Sequence, residues 1–80
     1  MLDELKTANK VVGVKQLTKA LRRGAVKAVF LAENADPILT DPIKTLAEAN
    51  GVPVHWCKSM LELGTACGIS VGAAAAATLR

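Results

Sequence analysis

The stretch GVKQLTKALRRGAVKAVFLA, residues 13–32, joins a basic segment to an almost continuously apolar one. At 100° per residue, one arc of a helix over residues 15–23 collects its apolar side chains, which are Leu17, Ala20 and Leu21. Gly24 follows, as is typical of the residue after a helix C-terminus. The apolar run Val26–Ala32 lacks polar alternation, which is typical of a strand covered on both faces. A basic helix leading into a buried strand is therefore predicted.

The rest of the chain alternates helix and strand signals. Further helices are predicted over residues 2–8, from Asp41-Pro42 to Asn50-Gly51, and from Ser59 to Gly68. Asp before Pro is a preferred helix start, and Ser59 with Glu62 forms a capping-box pattern whose helix would turn Met60, Leu63 and Cys67 inward. Strands are predicted over Lys10–Val12, Val52–Trp56 and Val71–Leu79. Such alternation predicts one α/β domain, residues 1–80, with helices on both faces of a sheet.

The last strand carries conflicting signals. Residues 73–77 are five consecutive alanines, and alanine has the highest helix propensity. The segment nevertheless follows a helix that ends at Gly68, where the alternating order requires a strand. We therefore predict a strand.

Charge is distributed unevenly along the chain. The net charge is +3, but residues 1–27 hold seven of the ten Lys and Arg and only two of the seven Asp and Glu. This asymmetry indicates a polyanionic partner. No signal-peptide pattern is present, so the expected location is the cytoplasm, with reduced thiols and no contact with a membrane. Two cysteines are too few for a cysteine-rich zinc site, so no metal is expected.

Catalytic motifs are weakly represented. His55 and Cys57 alternate on one strand face, so a Cys–His nucleophile pair is one interpretation, and unreactive side chains of a half-buried strand are the other. Neither of the glycine-rich phosphate-binding motifs is present. The sequence thus predicts a protein that is not an enzyme and needs no cofactor.

The polar arc of the basic helix is the strongest candidate site. Gly13 leads into a first turn that exposes Lys15 and Gln16, and helix N-termini attract anions. Lysine donates to guanine O6 or N7, and glutamine both donates and accepts at base edges. Lys19 and Arg22, further along the arc, can reach phosphates. Nucleic-acid binding and an ordinary solvated helix face both account for this arc.

Three segments together carry a family resemblance: GVKQLTKALRRG, then VKAVFLAENADP, then LGTACGISVGAAAA. In this order they resemble the kink-turn RNA-binding ribosomal proteins of the seven-Ae and thirty-e type, above all the short bacterial members. The resemblance spans nearly the whole chain. It implies a three-layer α/β/α sandwich with a mixed four-stranded sheet and a monomeric, non-catalytic protein. Its partner would be a kink-turn in ribosomal or riboswitch RNA, with the ribosome as a further partner.

The resemblance also implies roles for individual residues. In that family a glycine, here Gly13, opens the recognition helix, and a lysine, here Lys19, lies one turn inside it. Between them, Lys15 and Gln16 stand where archaeal and eukaryotic members have an Asn–Glu pair that reads the guanine edges of sheared G·A pairs. Gln16 keeps an acceptor oxygen without the charge of Glu, which weakens its hold on a guanine N–H.

A second predicted contact is the loop Ile69-Ser70-Val71, whose apolar side chains in relatives cover a nucleotide that is flipped out of the bend. The alternative from the residues alone is that Ile69 and Val71 belong to the core. Two other functions stay open: a protein–protein interaction module on the same fold, and a small redox or hydrolytic enzyme that uses Cys57 and His55.

Overall fold

Four strands and three helices alternate in the computed structural model, which describes residue 5 and residues 9–80. In chain order they are β1 (Lys10–Val12), α1 (Val14–Arg22), β2 (Val26–Ala32), α2 (Pro37–Ala49), β3 (Val54–Cys57), α3 (Met60–Ala66) and β4 (Ala75–Leu79). The sheet has the order β1-β4-β2-β3, in which β2 and β3 are parallel and β4 is antiparallel to both neighbours. The predicted helix over residues 2–8 lies outside the described residues, except for Leu5. None of the described helices is long and apolar enough to cross a membrane.

Both faces of the sheet are buried by helices. On one face Leu17 and Leu21 of α1 and Ile43 of α2 pack against Val29 and Leu31 of β2. On the other face the cluster is formed by Leu5, Phe30, Cys57, Leu63 and Cys67. Burial on both faces explains why β2 is almost continuously apolar. The three-layer sandwich with a mixed four-stranded sheet is confirmed.

The alanine run forms an interior strand. Ala75, Ala76 and Ala77 are fully buried between β1 and β2, so tertiary packing overrides their helix propensity. The strand begins at Ala75, and the predicted start at Val71 is wrong. Residues 71–73 lie outside the sheet because this segment bonds to α3 instead, where the N–H of Ala73 donates to the carbonyl of Met60 at 2.9 Å.

The start of α2 also differs from the prediction. Asp36-Pro37 and Asp41-Pro42 carry the same start signal, and the structure uses the first: the Asp36 carboxylate accepts the N–H of Ile38 at 2.9 Å, with Pro37 in the first turn. Pro42 lies inside the helix. Having no N–H, it leaves the carbonyl of Ile38 without its usual helical partner.

Smaller differences concern β3 and α3. The strand begins at Val54, two residues later than predicted, because the N–H of Val52 is bonded to the Ala47 carbonyl at 2.9 Å where α2 ends. Leu63 of α3 and Cys67, which follows the helix, are buried as expected. The prediction that Met60 faces inward is wrong, because Met60 is the first residue of the helix and is exposed there.

Candidate nucleic-acid interface

Gly13 fixes how α1 begins. Its φ and ψ are 101° and 148°, a conformation essentially restricted to glycine. Its N–H donates to the carbonyl of Ala75 at 2.9 Å, and its carbonyl accepts the N–H of Leu17 at 3.0 Å. A Cβ at this position would have no atom within 4 Å, so glycine is required by backbone conformation and not by lack of space.

The first turn of α1 presents backbone donors that lack an acceptor within the helix. Gly13 has no side chain to cap the helix, and the first turn contains no acidic residue. The N–H groups at the start of a helix have no hydrogen-bond partner within the helix. The partial positive charge at this end of the helix strengthens their attraction for an anion. Lys15 and Gln16 are both exposed beside these donors. This turn is therefore suited to bind an anionic or acceptor-rich surface.

The loop that precedes β4 is apolar and faces solvent. Val71 is 65% exposed and Ile69 is 37% exposed, and Ser70 between them is also exposed. The interpretation of Ile69 and Val71 as core residues is therefore wrong. An exposed apolar loop beside polar donors is typical of a binding surface.

Backbone contacts with α3 hold this loop. The N–H of Ile69 donates to the carbonyl of Gly64 at 3.1 Å, and the N–H of Ala73 donates to that of Met60 at 2.9 Å. Between these two bonds the carbonyl of Val71 lies directly against Gly64, where it would collide with any Cβ. Gly64 is thus glycine because the loop backbone occupies the space of a side chain.

Asn34 connects this assembly to the end of β2. Its Oδ1 accepts the N–H of Met60 at 2.7 Å, across 26 residues of sequence. Ser59 accepts the N–H of Glu62 at 3.1 Å in the same helix turn. The cap by Ser59 is visible in the sequence as a local pattern, whereas the cap by Asn34 comes from a distant segment and leaves no such pattern.

The helix start and the apolar loop lie at one edge of the sheet, where β4 begins. Gly13 bonds to Ala75 on one side of that strand, and the N–H of Ala32 donates to the carbonyl of Ala74 at 3.0 Å on the other. We call residues 13–16 together with residues 69–71 the site edge. Six of the eight candidate residues belong to it by this definition: Gly13, Lys15, Gln16, Ile69, Ser70 and Val71.

The other two candidate residues lie further along α1. Lys19 is exposed one turn beyond Lys15. Arg22 lies near the far end of the helix and lines a groove of about 580 Å³ between α1 and α2, opposite Asp41. Arg23, which the sequence places on the polar arc but which is not among the predicted RNA-binding residues, caps the end of α1 on the same helical flank as Gln16 and Lys19.

The Cys–His pair lies outside the site edge. The ring of His55 packs against Phe30 with 5.2 Å between ring centroids, and Cys57 is buried. Burial raises the pKa of the Cys57 thiol, and the charge of Glu62 raises it further. A nucleophilic thiol needs the opposite shift, so these surroundings do not activate Cys57.

Comparison with known proteins identifies the family. Residues 2–80 match the model of the Ribosomal protein L7Ae/L30e/S12e/Gadd45 family. The chain belongs to this family.

Two similar proteins from bacteria share its length. An "RNA-binding protein" of Bacillus pumilus is 48% identical over 69 residues, covering 86% of this chain and 84% of the relative. An "RNA-binding protein" of Geobacillus sp. strain WCH70 is 45% identical over 76 residues, covering 95% and 93%. These proteins match the chain over most of their own length.

Solved structures agree on the fold. A Giardia lamblia 15.5kD RNA binding protein superposes with a TM-score of 0.89 at 29% identity, over 99% of this chain and 70% of that one. A protein of unknown function from Bacillus halodurans superposes with a TM-score of 0.88 at 22% identity, over 99% and 83%, and shows the fold alone.

Proposed function

We propose that this protein binds RNA without chemical change, and that its target is a kink-turn. One observation carries the proposal: an exposed basic helix start and an exposed apolar loop are joined through the first residue of β4 at one edge of the sheet. Membership of the family supports it, and so do the bacterial relatives and the Giardia protein, which are named as RNA-binding proteins.

The helix start reads the paired bases in this proposal. Lys15 donates to guanine O6 or N7, while the side-chain amide of Gln16 accepts from a guanine N–H and donates to a neighbouring acceptor. Gly13 supports both by holding the first turn against β4. Lys19 and Arg22 lie further along α1, where we expect them to contact phosphates.

The loop covers an unstacked base. Single-stranded positions of RNA are recognised through bases that are splayed out of the stack. Ile69 and Val71 offer apolar contact to such a base, and Ser70 offers a hydroxyl. Since the bend brings phosphates close together, cations that neutralise them bind the bent RNA more tightly than the straight form. The protein then shifts the RNA toward the bent state by as much as its affinities for the two states differ.

The natural target, on this proposal, is a kink-turn of ribosomal RNA or of a riboswitch, bound by a monomer in the cytoplasm. Binding to such RNA leads to association with the ribosome in the first case and to control of a transcript in the second. No reaction and no cofactor are involved.

The test compares two RNA duplexes across a series of salt concentrations. One contains a kink-turn, and in the other the tandem G·A pairs are replaced by Watson–Crick pairs. We expect a preference of at least tenfold for the kink-turn, which is about 1.4 kcal/mol. Equal, salt-sensitive binding to both duplexes would contradict kink-turn recognition. Absence of binding to either would favour the interaction-module alternative.

A further inference from the structure

A second cationic surface lies at the opposite edge of the sheet from the site edge. It consists of Arg23, Lys27 and Arg80, all exposed, and we call it the basic edge. The backbone N–H of Arg80 donates to the Ala25 carbonyl at 2.9 Å, and its Nε donates to the Val26 carbonyl at 3.3 Å. Arg80 therefore lies across the short segment that connects Arg23 to Lys27.

A strand irregularity exposes Lys27. Val26 packs on the α1/α2 face of the sheet and Ala28 on the α3 face, although two residues of a regular strand separated by one would share a face. The pairing of β2 with β4 shifts register between Val26 and Ala28, which resolves the conflict as a β-bulge. Bulges re-aim side chains, and Lys27 is the one exposed residue of β2.

Acidic residues are absent from the segments that build the basic edge. Residues 9–32 and 67–80 contain no Asp or Glu, whereas the acidic residues of the rest of the described chain belong to α2, α3 and the loop after β2. Clustered cations within acid-free segments attract phosphates strongly.

Helix α1 connects the two edges. Gln16, Lys19 and Arg23 lie at helical spacing on one flank, and the two cations among them, Lys19 and Arg23, lie between the site edge and the far end of the helix. The nine residues of α1 span about 13 Å at 1.5 Å per residue. A double-stranded RNA arm that leaves the site edge along this flank would therefore reach Arg23 and Lys27 within its next helical turn.

We propose that the basic edge binds the phosphate backbone of an RNA helix that continues beyond the bend, so that the protein contacts the bend and one flanking arm together. This inference rests on the proposed binding of RNA at the site edge. It extends that function by adding an electrostatic contact that does not depend on the base sequence. Contacts to phosphates position a protein on a nucleic acid, whereas contacts to bases determine sequence specificity.

The test uses two kink-turn RNAs and a charge-matched pair of variants. One RNA has arms only long enough to form the bend, and the other has each arm extended by a full helical turn. The test variant is Arg23→Gln/Lys27→Gln. The control is Lys44→Gln/Lys58→Gln, which removes the same charge from exposed positions in α2 and after β3. Arg80 is left intact because its side chain bonds to the Val26 carbonyl.

We expect the test variant to lose about tenfold in affinity for the long-armed RNA and less than twofold for the short-armed RNA. Its plot of log K against log salt for the long-armed RNA should become shallower by about 1.4–1.8, the value for two lost phosphate contacts. Equal losses on both RNAs, or a loss no larger than that of the control, would overturn the proposal.

The same assay separates this failure from a failure of the proposed function. A long-armed duplex with Watson–Crick pairs in place of the G·A pairs is the third probe. If the wild-type protein does not prefer the kink-turn over this duplex, kink-turn recognition fails. The proposal for the basic edge is then tested on the straight long duplex. There the slope of log K against log salt should still be shallower for the test variant than for the wild-type protein, and equal slopes would overturn the proposal.

Discussion

The two parts of the site edge are held in place in different ways. The helix part needs one backbone conformation, at Gly13, followed by a regular amphipathic helix whose apolar residues pack on the sheet. The loop part has no regular structure, and bonds from α3 fix it, while α3 itself is capped by Asn34 from the end of β2.

The two parts are therefore sensitive to substitution at different places. A local structure such as α1 tolerates change away from its own residues, because its hydrogen bonds are internal. The loop depends on three elements that meet through backbone contacts, so substitutions that touch no RNA should still change binding. Substitutions at Gly64, Gly13 and Asn34 test this comparison.

The largest effect is expected from Gly64→Ala. The added methyl group would collide with the carbonyl of Val71, and the Cα of Gly72 would be only 3.2 Å away, so the loop must move. Overpacking of this kind costs about 1–3 kcal/mol, which exceeds the gain of about 1 kcal/mol in helix propensity from Gly to Ala. We expect lower stability in urea and at least tenfold weaker binding to the kink-turn duplex.

Thr65→Ala is the matched control for Gly64→Ala, because Thr65 is the exposed neighbour in the same helix. It should leave stability and RNA affinity nearly unchanged. If Gly64→Ala behaves like this control in both measurements, the loop is not held by α3.

The second effect concerns the helix part. Gly13→Ala forces a non-glycine residue to φ 101°, at a cost of about 1–3 kcal/mol, without any steric contact. Because the strain lies where α1 begins, we expect the preference for kink-turn over Watson–Crick duplex to fall. Gly51→Ala is the control, since Gly51 also has positive φ and open space but lies after α2, outside both the site edge and the basic edge. An equal loss of preference in both variants would show that general instability is responsible.

The difference between the helix part, which is built from local interactions, and the loop part, which is held by distant contacts, also explains how much of the structure the sequence predicted. β1, β2 and α1 were placed within one residue, because the basic amphipathic arc, Gly24 and the apolar run Val26–Ala32 are local signals. The three layers, which the alternation of helices and strands predicts, were also confirmed, as was the mixed four-stranded sheet, which the resemblance implied. At the site edge, Lys15 and Gln16 were expected to be exposed for the same local reason.

What the sequence did not predict depends on distant contacts. Asp36-Pro37 and Asp41-Pro42 are equal as local start signals, and only packing of α2 on the sheet decides between them. Strand β4 was predicted to begin at Val71 because nothing in the sequence indicates that Met60 bonds to Ala73. For the same reason the composition of residues 69–71 alone did not distinguish a core segment from an exposed loop.

The third prediction separates stability from binding. Asn34→Ala removes the acceptor for the Met60 N–H, and loss of such an exposed hydrogen bond costs about 0.5–1.5 kcal/mol. Asn50→Ala is the control, because it removes an exposed Asn bond of similar length, 2.8 Å to the Leu46 carbonyl, at the end of α2. Both variants should be slightly less stable, but only Asn34→Ala should bind the kink-turn more weakly. Asn34→Asp keeps an acceptor oxygen and should restore the lost stability; if it does not, Asn34 stabilises the protein other than through the Met60 N–H.

The smallest effect is expected from the thiol at the base of the loop. Cys67 is only 5% exposed, and burial raises the pKa of its thiol, with a smaller opposing effect from the charge of Lys10. In a Cys57→Ala background, a thiol reagent should therefore label native Cys67 far more slowly than the unfolded chain. Adding Gly64→Ala should speed that labelling by displacing the loop.

The pH dependence of stability has a definite sign for the same residue. The folded state keeps Cys67 protonated to a higher pH than the unfolded state does. The contribution of the buried thiol to the free energy of unfolding is therefore fully present below the ordinary thiol pKa of 9.0, and it is lost as pH rises through the raised pKa of the folded state. Urea unfolding of the Cys57→Ala protein between pH 7 and pH 10, against a variant that also carries Cys67→Ala, measures this loss. A stability difference between the two that stays constant with pH would mean that Cys67 ionises as freely in the folded chain as in the unfolded one, and that the loop does not shield it.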